Sequence, residues 1–492
     1  MKASGWLLRI AIVATAAGGS GCAVGPDFKR PPPPDVASFT PAPPANAVGA
    51  TGTAPHFVEG ADIPGEWWQL FHSEALNALI RRSLQNNPDL QAAQAALVVA
   101  RETALAQRGA FFPSVTGSVD ASRQKSSNEI SPTPDSGAFN FNLYTPQVSV
   151  SYAPDVFGLN RRSVEALDAQ TAQARFALLA TQLTLTANVV AAAIQEASLR
   201  AQIEATQQLI AVDTDVLKML RNQQAGGYAG SLDVIAQEAQ LAQATATLGP
   251  LLTQLAQQRN LLTALAGAYS AQETPETFTL ASLQLPAELP VSIPARLVEQ
   301  RPDIRQAEEN LHAASAQIGV ATANRLPNIT LTAGIGAQAL AVNRLFDGDS
   351  VFWGVGASVV QPIIDGGALL HRERAAKATY QQAAAQYRSA VVAAFRNVTD
   401  TLDALQQDDN TLRAATQAAV SAGKTLELIR RQQLAGYMGT LAVLTAETAY
   451  QQALIAQVQA QANRYVDTAA LFQALGGGWW NRADITAADE KH

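Results

Sequence analysis

A chain of 492 residues with a net charge of −7 and only 15% charged residues carries no basic stripe for a polyanion, so nucleic acid is not an expected partner. Its 48% hydrophobic content includes just 6% aromatic residues, so the apolar surface is built largely from alanine, which suits close helix-to-helix packing better than a thick globular core. One cysteine excludes an intrachain disulfide framework, the five histidines (His56, His72, His312, His371, His492) are scattered, and there is no CxxC, HExxH or phosphate-binding glycine loop; no catalytic residue, metal ligand or cofactor is expected.

Residues 1–21 have the outline of an export signal. Lys2 and Arg9 make a basic start, Ile10 to Ala17 a short apolar core, and Gly18-Gly19-Ser20-Gly21 a small-residue run before Cys22. The segment is too short and too interrupted to span a bilayer as a stable helix. A small residue before Cys22 is similar to a bacterial lipoprotein signal, whose thiol takes a diacylglycerol and whose new N-terminus is acylated. Gly19 departs from that pattern, which has a leucine-like residue three before the cysteine, and an ordinary secretory signal with an incidental cysteine is the other reading. Ala23 is not an aspartate, so nothing here resembles an inner-membrane retention signal. From 22 to 62 a Pro- and Ala-rich run (Pro31-Pro32-Pro33-Pro34, Pro43-Pro44) predicts a tether with no core of its own.

The rest says nearly the same thing twice. Asn87-Pro88-Asp89-Leu90 recurs as Arg301-Pro302-Asp303-Ile304, Phe112-Pro113 as Leu326-Pro327, Gly227-Tyr228-Ala229-Gly230-Ser231-Leu232 as Gly436-Tyr437-Met438-Gly439-Thr440-Leu441, and Leu265-Ala266-Gly267 as Leu475-Gly476-Gly477. The first repeat, 63–285, predicts helices from about Glu74 and Pro88, with Pro88 at a first helical position. Strands at about 113–123 and 146–153 flank a polar loop from Ser122 to Ser136. A long helix over about 159–225 follows, because Leu159 to Ala225 holds no Gly or Pro. A return helix over about 231–266 completes the repeat. Leu209, Val212, Val216 and Met219 form an apolar seam on the long helix, with Asp213, Asp215 and Lys218 off that face. Gly249-Pro250 predicts a kink or break in the return helix.

The second repeat, 286–478, predicts a helix at about 302–325, strands at about 327–338 and 351–360, a long helix at about 367–434 and a return helix at about 440–475. Ile329, Leu331, Ala333, Ile335 and Ala337 alternate with polar or glycine residues, as do Val351, Trp353, Val355, Ala357 and Val359. Period two over about ten residues has the length and pattern of a transmembrane strand. Ser231 and Thr440 read as N-caps. Asp155 and Asp365 read as caps or turn residues at strand-to-helix corners, and Arg301 and Asp303 as structural at a helix start. Residues 479–492 predict a disordered tail. Lipid admits only helices or closed barrels, and four strands cannot close one, so membrane-spanning strands here require several copies to share a barrel.

These stretches resemble the outer membrane factor family of tripartite efflux systems, in particular the NodT-type outer membrane lipoproteins related to TolC and OprM. The matching residues are Gly21-Cys22-Ala23-Val24-Gly25-Pro26-Asp27-Phe28, Trp67-Trp68-Gln69-Leu70-Phe71, Arg301-Pro302-Asp303-Ile304-Arg305-Gln306-Ala307-Glu308, Ala316-Gln317-Ile318-Gly319-Val320-Ala321 and Gln361-Pro362-Ile363-Ile364-Asp365-Gly366-Gly367. The resemblance implies an α+β membrane protein: a homotrimer with a 12-stranded outer-membrane β-barrel, four strands per chain, continued by a long periplasmic α-helical barrel of two structural repeats. It implies a passive exit duct, not an enzyme, lipid-anchored at Cys22 and spanning the bacterial outer membrane. The partners it implies are a periplasmic adaptor and an inner-membrane pump of the resistance-nodulation-division (RND) type, with drugs, toxic compounds or metal ions as cargo.

Within that resemblance, Leu441 matches a leucine of the periplasmic gate, while Thr445 and Thr448 stand at its two charged positions. Leu441 is read equally as an apolar constriction or as packing between helices. The turns carrying Gly227, Tyr228 and Gly230, and Gly436, Tyr437 and Gly439, are the expected adaptor contacts. A channel for type I protein secretion and a periplasmic coiled-coil scaffold are the alternatives.

Overall fold

The computed structural model describes residues 23–36, 38–40, 56–125, 127, 140–286, 288–291 and 294–482. The export signal, Cys22 and residues 483–492 of the expected tail lie outside the described residues. In chain order come β1 (His56–Glu59), α1 (Glu74–Asn86), α2 (Pro88–Arg108), β2 (Ser114–Lys125), β3 (Asn140–Tyr152), α3 (Leu159–Ala225) and α4 (Ser231–Leu265). Then follow β4 (Glu288–Val291), α5 (Pro294–Gln300), α6 (Pro302–Ala323), β5 (Asn328–Ala337), β6 (Val351–Val360), α7 (Ala368–Leu434) and α8 (Thr440–Ala474). Both α3 and α7 are 67 residues long, and α4 and α8 are both 35. At 1.5 Å per residue each long helix extends about 100 Å.

The chain divides into two compact units. One holds residues 23–30, Leu97–Ala174 and Ala307–Tyr387, and so contains the four-stranded antiparallel sheet in the order β2-β3-β5-β6. The other holds residues 31–96, Arg175–Gln306 and Arg388 onward, and is mostly helical. In the helical unit, Trp67, Phe71, Leu76, Leu79, Ile80, Leu262, Phe278 and Phe472 are fully buried. Trp67 stacks on Phe472 with ring centroids 5.3 Å apart, so the Trp67-Trp68-Gln69-Leu70-Phe71 stretch is a core anchor. One stretch of α3 is long and apolar enough to cross a bilayer, with a mean hydropathy of 1.7. Val189, Val190, Ala193, Ile194 and Ala197 of that helix are buried within the unit, which makes them core.

The repeated motifs act alike in both halves. Asn87 caps α2 by accepting from the Asp89 and Leu90 amides, and its Nδ2 donates to the Leu265 carbonyl at 3.2 Å. Arg301, at the matching place, pairs with Asp303 and donates to the Ala474 carbonyl at 3.0 Å. Each thus closes the exposed carbonyl end of a return helix. Asp155 accepts from the Asn160 and Arg161 amides, and Asp365 from those of Gly367 and Leu369, so both carboxylates cap long-helix starts.

Several expectations are corrected. Residues 56–59 are not bare tether: β1 pairs in parallel with β4 across the boundaries set at 62 and 286. Strand β3 begins at Asn140, six residues early, and runs through Pro146. The missing proline N–H interrupts the ladder on that side: β5 pairs with β3 from Gln147 onward, and beyond Pro146 the contact resumes where Tyr144 and Ala339 exchange backbone hydrogen bonds at 2.9 and 3.1 Å. Strand β2 runs on to Lys125, into the expected loop. Pro250 does not break α4, which is one continuous helix through it. The N-caps are Gly230 and Gly439, one residue before Ser231 and Thr440; the Asp233 carboxylate reaches back to the Gly230 amide at 3.3 Å. Residues 479–481 form a helical turn, where Trp479 donates to the Gln300 carbonyl at 2.7 Å and Trp480 and Asn481 both donate to Asp62 at 2.9 Å. The buried stripe on α3 runs through Thr206, Asp213, Leu217 and Leu220, one position on from the expected seam, and takes Asp213 inside.

Candidate functional site

Register decides what the sheet can do. Directly opposed residues share a face, so Val115, Val119, Val150, Val148, Ala333, Ile335, Val355 and Trp353 all lie together. The other face carries Ser114, Thr116, Ser118, Ser151, Ser149, Gln147, Thr332 and Ser358 with four glycines; Phe141, Leu143, Phe352 and Val360 are its apolar exceptions. The apolar face is open: Val119 is 79%, Val355 77% and Trp353 76% exposed. Among the described residues β2 pairs only with β3, and β6 only with β5, so both edges of the sheet carry unpaired backbone groups. A ten- to thirteen-residue strand set with one apolar and one polar face, and two open edges, is matched to lipid on one side and water on the other.

The segment after the cysteine is strapped to the same unit. The Val24 amide donates to the Phe157 carbonyl at 3.1 Å, and Ala23 lies against Gly158 at the corner between β3 and α3. Arg162, nearly buried, reaches the Val24 and Gly25 carbonyls and the Asp27 and Glu165 carboxylates. Phe28 stacks on His312 with centroids 4.3 Å apart, and Arg30 pairs with Glu308 at 2.8 Å. The tether therefore begins as a docked strap on this unit.

In the helical unit each long helix and its return helix form a hairpin. Both glycine turns have one geometry. Gly227 (φ 79°) and Gly436 (φ 80°) adopt the left-handed conformation; Tyr228 and Tyr437 each donate to a carbonyl five residues back, at 2.8 and 2.9 Å. This is a Schellman closure, and only glycine enters it without strain. Tyr228 and Tyr437 are left exposed beyond it.

Further back, each hairpin has a buried acid held by two arginines. Glu196 meets Arg200 at 2.6 Å and Arg259 of α4 at 2.9 Å; Asp409 meets Arg413 at 2.7 Å and Arg464 of α8 at 3.5 Å. Nearer the turns Arg221 pairs with Glu238, and Arg430 with the fully buried Glu447. None of these charges was singled out from the sequence, because a lone Glu or Asp in an Ala-rich helix carries no sign of its burial.

The candidate gate residues fall on α8 just after the second turn. Leu441 is 72% exposed, as is its first-repeat counterpart Leu232 at 80%. Thr445 donates back to the Leu441 carbonyl, and Thr448 to that of Leu444 while accepting from Gln240 Nε2 at 3.0 Å. Both threonines are satisfied without an ion pair. Among the described residues no cluster of three or more metal-ligating side chains occurs.

The profile of the "Outer membrane efflux protein" family matches residues 79–268 and 293–477. The chain is 30% identical to the probable efflux pump outer membrane protein TtgC of Pseudomonas putida, over 97% of this chain and 96% of that one. It is 32% identical to the probable efflux pump outer membrane protein SepC of the same species, over 94% and 95%. Among solved structures it matches the outer-membrane channel OprN with a TM-score of 0.82 at 26% identity, over 93% of this chain and all of that one.

Proposed function

The chain belongs to the outer membrane efflux protein family, and from that membership we propose that it is the outer-membrane exit duct of a tripartite efflux system. It passively conducts drugs, toxic compounds or metal ions delivered by an inner-membrane RND pump and a periplasmic adaptor. Three copies close one twelve-stranded barrel, each contributing β2, β3, β5 and β6, and the long helices form the periplasmic part. The observation that carries this reading is the sheet with an exposed apolar face and two unpaired edges, which lipid tolerates only once closed by further strands.

Cys22 carries the diacylglycerol and N-acyl chains. The docking of Ala23 at the β3-to-α3 corner supports this, since it brings the lipid to the end of a strand. Acyl chains add roughly 0.8 kcal/mol of membrane affinity per buried CH₂. The turns at Gly227–Gly230 and Gly436–Gly439 meet the adaptor with Tyr228 and Tyr437. Leu441 serves as an apolar constriction with Thr445 and Thr448 behind it. No step of covalent chemistry is required of any residue.

The test is the mass of the purified protein in detergent together with its conductance in a planar bilayer. A trimer that conducts in its opened state is expected. A monomer without conductance under any condition overturns the reading.

A further inference from the structure

We infer that Asp213 and Glu447 form a proton-binding site that ties the first helical hairpin to the second, with one proton shared between the two carboxyl groups. Asp213 lies on α3 and Glu447 on α8, and both are fully buried. They are near enough that the charge on Glu447 acts on the Asp213 carboxyl. Each has one oxygen already used: Asp213 Oδ1 accepts from Gln237 Nε2 at 3.1 Å, and Glu447 Oε1 accepts from Arg430 Nη2 at 2.5 Å. The remaining oxygens, Asp213 Oδ2 and Glu447 Oε2, have no donor among the described residues. Two buried carboxylates that act on each other, each with a donorless oxygen, repel unless one of them holds a proton.

The charge count agrees. Four helices meet here: α3 supplies Asp213, α8 Glu447, α7 Arg430 and α4 the neutral Gln237. Two carboxylates and one guanidinium leave one negative charge, and a single proton neutralises it. The other nearby charges, Arg221 and Glu238, are satisfied by each other at 2.6 Å. A larger cation is a poorer fit, because the fixed guanidinium repels it and two carboxylates fall short of the six or more oxygens a hard divalent ion takes.

Hairpin geometry alone does not require the site. At the spacing that relates the two turns (436 − 227 = 209), the second-repeat equivalents of Asp213 and Gln237 are Ala422 and Ala446, while Glu238 is the first-repeat equivalent of Glu447. This acid pair joins the first long helix to the second return helix. Burial pushes the Asp213 carboxyl up to about 6; the charge on Glu447 adds to the rise, and the Gln237 hydrogen bond and Arg430 oppose it. The proton is therefore held in acid and lost as pH rises through that value, leaving two facing negative charges that loosen the contact between hairpins.

The inference does not depend on conductance, so it is tested without it. Infrared difference spectra of the full-length protein in detergent, between about pH 5 and about pH 8, should show the carbonyl band of a protonated carboxylic acid lost at the higher pH. Subtracting the same difference for Asp213→Asn isolates this acid from others, and a remaining band is expected. Hydrogen exchange over residues 231–241 and 440–450, corrected for intrinsic rates, should be several-fold faster at the higher pH in the wild type and unchanged in Asp213→Asn. If Asp213→Asn does not fold, Glu447→Gln removes the same shared proton and should abolish the same band. Identical spectra and identical exchange in wild type and variant overturn the site.

Discussion

Asp409 occupies in α7 the place that Glu196 occupies in α3, moved by one helical turn toward the glycine turn. The two acids are 213 residues apart (409 − 196), while the turns are 209 apart (436 − 227), a difference of four. Their partners on the return helices, Arg259 and Arg464, are separated by 205 (464 − 259), the same four residues in the opposite sense. Because return helices run back, both shifts point the same way, and the whole clamp has slid along the hairpin by about 6 Å.

The clamps should differ in worth. Breaking a buried pair by removing one partner costs about 3–5 kcal/mol, because the other charge is left uncompensated. Glu196 grips its return-helix arginine at 2.9 Å, whereas Asp409 sits 3.5 Å from Arg464. Glu196→Gln is therefore expected at the upper end of that range and Asp409→Asn below it. Thermal or urea unfolding of the two variants beside the wild type measures the difference; a larger loss for Asp409→Asn would reverse the ranking.

On the sheet, Val355→Arg places a charge on the apolar face and should cost about 2–4 kcal/mol if that face meets mid-bilayer lipid. Ser358→Arg, on the opposite face of the same strand, should cost less than about 1 kcal/mol while altering ion selectivity. The amount of folded protein recovered from outer membranes is the readout. Equal losses would mean that the two faces do not meet different solvents.

Leu441→Gly should make cells leakier to bulky antibiotics, since it removes an exposed apolar side chain just after the second turn without touching a hydrogen bond. Antibiotic uptake at matched expression is the measurement, and unchanged uptake counts against a constriction there. Thr448→Val removes the acceptor for Gln240 and should cost about 1 kcal/mol of stability.

Cys22→Ser should abolish palmitate labelling. The strap made by Ala23, Asp27, Phe28 and Arg30 rests on contacts of its own, so the variant should still fold and assemble. Labelling that survives the substitution refutes the lipid assignment.

A pH effect is expected in the second hairpin. Burial pushes the Asp408 carboxyl up to about 7, and the neighbouring Asp467 carboxyl pushes it further in the same direction, against Arg464. An acid whose folded value lies above its ordinary one stabilises the fold most below about pH 4, and that contribution is lost as pH rises through about 7. The unfolding temperature should therefore fall between about pH 5 and about pH 8, and fall less in Asp408→Asn. A fall of equal size in the variant would assign the effect to other groups.

Much of the architecture was legible. A run free of Gly and Pro marked the whole first long helix and the second as far as Ala422, Gly-Tyr marked both turns, and alternation marked β5 and β6 because one of their faces is uniformly apolar. Strand β3 was harder, since Pro146 reads as a boundary, whereas the pairing is only interrupted there and resumes at Tyr144 and Ala339. The β1–β4 pair was invisible, being four residues long on each side and more than two hundred residues apart. The acids that hold the hairpins together were also hidden. Periodicity assigns charges to the wet face, and Asp213 breaks that rule only because Glu447 and Gln237 are brought to it by other helices.

The two hairpins also differ as mechanical parts. Near its turn the second is joined by Arg430 and Glu447, whose acid is 0% exposed; the first carries the exposed pair Arg221 and Glu238, at 58% and 43%, and the buried Gln237-to-Asp213 hydrogen bond at 3.1 Å. Exposed pairs contribute little stability, whereas removing one partner of a buried pair is costly because the other charge is left uncompensated. In the proposed trimer the tip is thus a ring of three hairpins held by an ion pair with a buried acid, alternating with three held by a buried amide and an exposed ion pair. Such a ring has threefold rather than sixfold symmetry, so its two kinds of hairpin need not part at equal cost.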